Sequence, residues 1–112
     1  MRNKTLYLAT LAIALSGCAT DWKKNMHDSA RQYYDCSVKS SLAMDDGNTN
    51  PSDIASTAMT LCSQYRANFA NEMPAIWQDS LPATLKNLDD HAHALAMMEL
   101  LKKRQAKPKS PD

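Results

Sequence analysis

Seven consecutive residues, Asp45-Asp46-Gly47-Asn48-Thr49-Asn50-Pro51, gather the chain-reversing side chains of this sequence in one place. What flanks them is helical in pattern. From Trp22 to Met44 there is neither proline nor glycine, and Trp22, Met26, Ser29, Tyr33, Cys36, Ser40 and Ala43 recur at alternating steps of four and three. That is the spacing of one helix face, here narrow and rather polar. Beyond the turn, Asn50 suits an N-cap, Pro51 the first helical position, and Asp53 the first turn, where a carboxylate meets the positive end of the helix dipole. Ile54, Ala58, Leu61 or Cys62, Tyr65, Phe69 and Met73 then continue the same spacing as far as Pro74. Two helices joined by a tight reversal form an antiparallel hairpin, in which residues equidistant from the turn lie opposite one another. Positions 36 and 62 average 49, the middle of the turn, so the hairpin sets Cys36 opposite Cys62. Trp22 and Trp77 also balance about the turn, although Pro74 interrupts the second helix before Trp77.

A third apolar face is made by Leu81, Leu85, Leu88, Ala92, Leu95 and Met98, with Ser80 or Asp79 as its cap. Packed on the hairpin, it would complete a small all-α three-helix bundle. Residues 105–112, with two prolines and alternating lysines, have nothing apolar to bury and are expected to form a loose basic tail.

The amino terminus has a different logic. Met1-Arg2-Asn3-Lys4 is cationic, Leu6 to Leu15 is apolar, and Ser16-Gly17-Cys18 follows, in the order of an export signal with a small-residue cleavage site. The apolar run is shorter than the roughly 20 residues that span a bilayer. Leu15-Ser16-Gly17-Cys18 resembles the lipobox of bacterial lipoproteins, a branched apolar residue and two small ones before a cysteine that receives a diacylglyceryl group. The resemblance implies that residues 1–17 are removed and that Cys18 carries the covalent lipid, the one prosthetic group expected; residues 18–104 are then the helical domain that the spacing predicts. It also implies a membrane partner through that anchor. Ala19, where an aspartate would favour retention in the inner membrane, implies the outer membrane facing the periplasm; the periplasmic face of the inner membrane is the alternative. With Cys18 consumed, Cys36 and Cys62 are the remaining thiols, and in an oxidising compartment they are expected to pair.

Loss of Arg2 and Lys4 with the signal reduces 13 basic residues to 11, against 12 acidic ones. A nearly neutral envelope protein has no general attraction to nucleic acid. What is left is one small domain, of a size that commonly needs a covalent reinforcement.

No catalytic constellation is legible. The mature chain retains a single glycine, Gly47, and hence has no glycine-rich phosphate loop, while Ser37, Ser40 and Ser41 lie on a helix with no histidine at helical spacing. The nearest approach to a site is Asp89-Asp90-His91-Ala92-His93 followed by Met97 and Met98: Asp89, His93 and Met97 fall four apart and set oxygen, nitrogen and sulfur on one stripe, a set that suits copper or zinc. His91 and His93, two apart, point to different sides of a helix, and the ligand set is incomplete. Trp22, Tyr33 and Tyr34 are candidates for a partner-binding surface, since aromatic residues dominate interface hot spots, and of two consecutive tyrosines only one can face the core. Lys102-Lys103-Arg104 complements the negative end of the third helix.

These features favour a tethered helical module that binds another envelope protein as an accessory or scaffold, without turnover. An inhibitor or immunity protein against a lytic enzyme, and a copper or zinc handler using His91, His93, Met97 and Met98, are the rivals.

Overall fold

The computed structural model describes the backbone of residues 2–106 and the side chains of residues 21–106. Helix α1 (Arg2–Met44) leads through the turn into α2 (Pro51–Leu61) and α3 (Ser63–Glu72); a 3-10 turn (Ala75–Ser80) then feeds α4 (Leu81–Ala106). The result is an all-α bundle in which α2 and α3 form one nearly continuous antiparallel arm against α1, and α4 packs back on both. The Cys18 side chain and residues 107–112 of the expected tail lie outside what is described; the helix itself runs to Ala106, two residues beyond the expected end of the domain. Among the described residues, no helix is long and apolar enough to cross a membrane.

The reversal works as its side chains dictate. The Asp46 carboxylate accepts hydrogen bonds from the Asn48 and Thr49 amides and the Thr49 hydroxyl, and Asp45 accepts from the Gly47 amide. Gly47 takes φ +79°, a conformation that disfavours any residue with a Cβ. Asn50 caps α2 by accepting from the Ser52 amide at 2.9 Å, with Pro51 opening the helix. Two basic residues of α4 then fasten the turn: Arg104 reaches Asp45 Oδ1 and the Thr49 carbonyl, both at 2.7 Å, and Lys103 donates to the Leu42 carbonyl at the end of α1.

Cys36 and Cys62 are joined in a disulfide with Cα atoms 5.9 Å apart. Cys62 is also where the arm tightens. Its amide is shared between the Ala58 and Met59 carbonyls, which ends α2 one residue before α3 begins. Cys62 is buried whereas Leu61 is 68% exposed, which decides the alternative left open by the periodicity.

The core differs from the single seam read from the sequence. On α1 the buried positions are Ser29, Tyr33, Ser37 and Ser41; on α4 they are Leu88, Ala92, Ala96 and Leu100. Both run at steps of four. Ala43 and Met98, expected inside, are exposed. The cause is that each of these helices has two neighbours and buries a wider arc than a two-helix seam: Cys36 meets α2 on one flank, while Ser37 and Ser41 turn inward. Small side chains at Ser37, Ser41, Ala55, Ala58 and Ala96 allow close approach toward the turn, and Tyr33, Cys62, Phe69, Leu88 and Ala92 form one cluster toward the other end.

Candidate functional site

Among the described residues, a broad depression lies at the open end of the bundle, away from the turn. Trp22, Met26, Ala30 and Tyr34 follow one helical ridge at steps of four residues and form one wall on α1; Phe69 of α3 closes the floor, giving a groove of about 520 Å³. Beside that stripe runs a second with the same step, Lys23, His27 and Arg31, which rims the groove with basic side chains. The Lys23 ammonium stands 5.6 Å from the centre of the Trp22 ring, within reach of a cation–π attraction. A shallower depression continues past Tyr34 and Phe69 to Leu88 and His91, and there the His91 ring packs edge-on against Tyr34 with centroids 4.7 Å apart. Burial raises the pKa of the Tyr34 hydroxyl above its ordinary value, so the ring presents a neutral phenol at physiological pH.

The two consecutive tyrosines have opposite fates. Tyr34 is half-buried and contributes to the groove, as does Trp22, whereas Tyr33 is 1% exposed and belongs to the core. Tyr33 donates its hydroxyl proton to Asp89 at 2.9 Å, and Arg66 grips the same carboxylate through Nε at 2.9 Å and Nη2 at 3.0 Å. Desolvation, reinforced by the bond to Asp89, raises the pKa of Tyr33 strongly, so it stays protonated and serves as a donor. This triad links α1, α3 and α4, and the hydrogen bond to Asp89 holds Arg66 firmly in its charged form. Asp89 is thereby committed.

That commitment bears on the proposed metal stripe. Asp89 is engaged by Tyr33 and Arg66, His93 Nε2 contacts the Ser52 hydroxyl at 3.1 Å, His91 faces Tyr34, and Met98 is 52% exposed on the outer side of α4. Met97 is half-buried. Among the described residues no three His, Cys, Asp or Glu side chains cluster for a metal ion. Trp77 lies on the 3-10 turn, 52% exposed, and does not take part in the groove lined by Trp22.

Sequence reasoning missed the rim. Lys23, His27 and Arg31 repeat at the same step as Trp22, Met26 and Ala30, a doubled stripe that the helical spacing of the basic residues carries in the sequence. Compared with known protein families, curated proteins and solved structures, the chain matches none of them.

Proposed function

We propose that the chain is a lipid-anchored protein of the bacterial envelope, tethered through Cys18 to the outer membrane on its periplasmic side, and that it works by binding another envelope protein rather than by turnover. The observation that carries the binding half is the doubled stripe on α1: an apolar wall of Trp22, Met26 and Tyr34 beside a basic rim of Lys23, His27 and Arg31. A groove of this kind suits an amphipathic segment of the partner, with apolar anchors in the cleft and acidic side chains at its edge. The polar groups best placed for chemistry elsewhere, Tyr33, Arg66 and Asp89, are tied to one another across three helices. The address rests on the resemblance of Leu15-Ser16-Gly17-Cys18 to a lipobox.

Labelling of growing cells with a palmitate analogue tests the address. The wild-type protein is expected to take up the label, and Cys18→Ser to accumulate as an unlabelled precursor. An unlabelled wild-type protein overturns the lipid reading. Photocrosslinking from position 31 in intact cells, followed by identification of the captured protein, tests the binding reading.

A further inference from the structure

Two exposed apolar side chains of the bundle are neighbours in sequence. Ile76 is 81% exposed and Trp77 52% exposed, side by side on the 3-10 turn that joins α3 to α4. A 3-10 turn is a short, stiff element, and a pair of large apolar groups at its tip costs hydration without contributing to the core. Where this tip lies is fixed by contacts higher in the bundle. Tyr33 bonds Asp89 and Tyr34 packs on His91, so α1 and α4 run in the same direction with partners 56 or 57 residues apart. That register sets Leu81, the first residue of α4, level with Lys24 or Asn25, and the 3-10 turn immediately before it at the same end. The Ser29 hydroxyl bonded to Glu72 at the close of α3 gives the same placement independently.

Position 18 lies on α1 only seven residues before Asn25, which at 1.5 Å per residue is about 10 Å along the helix axis. A tether this short leaves the bundle no room to stand clear of the surface to which it is attached. We infer that the open end of the bundle is seated on the bilayer, with Ile76 and Trp77 inserted at the headgroup level as a second, noncovalent membrane contact. The inference rests on the lipid reading of Cys18. Tryptophan at a bilayer boundary behaves as an interfacial anchor, the indole keeping its N–H toward water while the ring enters the acyl boundary, and the isoleucine beside it adds apolar area buried on insertion. Lys24, exposed at the same level, supplies a cation for lipid phosphate. The diacylglyceryl group expected on Cys18 supplies the anchorage, and a second, noncovalent contact changes the attachment from a tether to a fixed orientation. The groove, rising from Trp22 toward Tyr34, would then open just above the headgroups.

Trp77 itself reports the seating. The chain from Cys18 to Asp112, with Cys36 and Cys62 oxidised, has one free thiol, and its core lies wholly between Ser29 and Leu100. Coupling that thiol to a maleimide phospholipid in dioleoylphosphatidylcholine vesicles imposes the tether chemically, so the measurement is separate from whether cells acylate Cys18, which the palmitate label decides. With Trp22→Phe, Trp77 is the sole tryptophan. Its emission is expected to shift to the blue on coupling and to fall about twofold in vesicles whose acyl chains are brominated, in keeping with side chains that enter the boundary by 5–10 Å. Moving the tether to the opposite end, Cys18→Ser with Gln105→Cys, is expected to abolish both effects. Unchanged emission and equal intensity with and without bromine overturn the seating, as does quenching that persists when the tether is moved.

Discussion

Ser37 and Ser41 are fully buried, and neither hydroxyl has a hydrogen-bond partner in the protein. A hydroxyl withdrawn from water without compensation costs on the order of 1–3 kcal/mol, more than the transfer of one missing oxygen returns. What the serines supply is size: with Ala55, Ala58 and Ala96 also buried, they let the helices approach closely. Ser37→Ala and Ser41→Ala are therefore each expected to raise stability by about 1 kcal/mol, helped by the better helix propensity of alanine, or roughly 4–8 °C in melting temperature for a domain of this size. Ser41→Leu, which fills space the helices do not leave, is expected to lower it. Thermal denaturation of the three variants checks the ranking; a drop for both alanine variants would show that the hydroxyls are bonded in solution. At this scale the sequence was partly legible. Spacing selected Ser29 and Tyr33 for burial, yet it could not find Ser37 and Ser41, because their inward turn depends on a second neighbouring helix.

Helix ends, the turn and the disulfide were the most legible elements, since each depends on residues close in sequence or on simple symmetry about one reversal. Asn50 and Pro51 opened α2 where capping chemistry required, and the midpoint at position 49 paired Cys36 with Cys62. The bridge closes a loop of 25 intervening residues and restricts the unfolded chain by about 3.5 kcal/mol in the entropy model. Reduction is expected to lower the melting temperature of the mature protein, corresponding to a loss of about 2–5 kcal/mol; identical melting with and without reductant would deny the bridge this role. The 3-10 turn was not legible, since nothing in Ala75 to Ser80 distinguishes it from a frayed helix start. Acid tests the long turn. Hydrogen bonding from Arg104 lowers the Asp45 pKa, and the Thr49 hydroxyl with the Thr49 and Asn48 amides lowers that of Asp46, well below the usual carboxylate range. Because both folded values are depressed, their stabilisation is complete above the unfolded value of about 4 and is lost as pH falls toward the folded ones. The melting temperature is thus expected to be level from pH 7 to pH 5 and to fall below about pH 4, with a shallower fall in Asp46→Asn.

For the whole molecule, the sequence predicted a bundle but not its groove, which exists only where Phe69 of α3 closes against four residues of α1. The expected binding set of Trp22, Tyr33 and Tyr34 divides accordingly: Trp22 and Tyr34 remain available, and Tyr33 is withdrawn into the triad with Arg66 and Asp89. A test of binding must therefore avoid Tyr33, whose loss would leave the Asp89–Arg66 pair short of a partner and weaken the fold. Lys23 and Arg31 are better targets, being exposed on the rim. Lys23→Glu with Arg31→Glu is expected to weaken capture of the partner at least about tenfold and to do so mainly through slower association that loses its salt dependence, with helicity and melting unchanged. Tyr34→Ala should weaken capture comparably through faster dissociation, as removal of a buried aromatic anchor does. His91 is no clean control, because its ring packs on Tyr34. His93→Ala with Met98→Ala is, since His93 turns toward Ser52 and Met98 toward solvent. Binding rates measured on the purified partner with each variant separate the readings: loss confined to the rim and Tyr34 supports the groove, whereas loss in the His93 and Met98 variant with capture intact in the others would move the function to α4 and to metal handling.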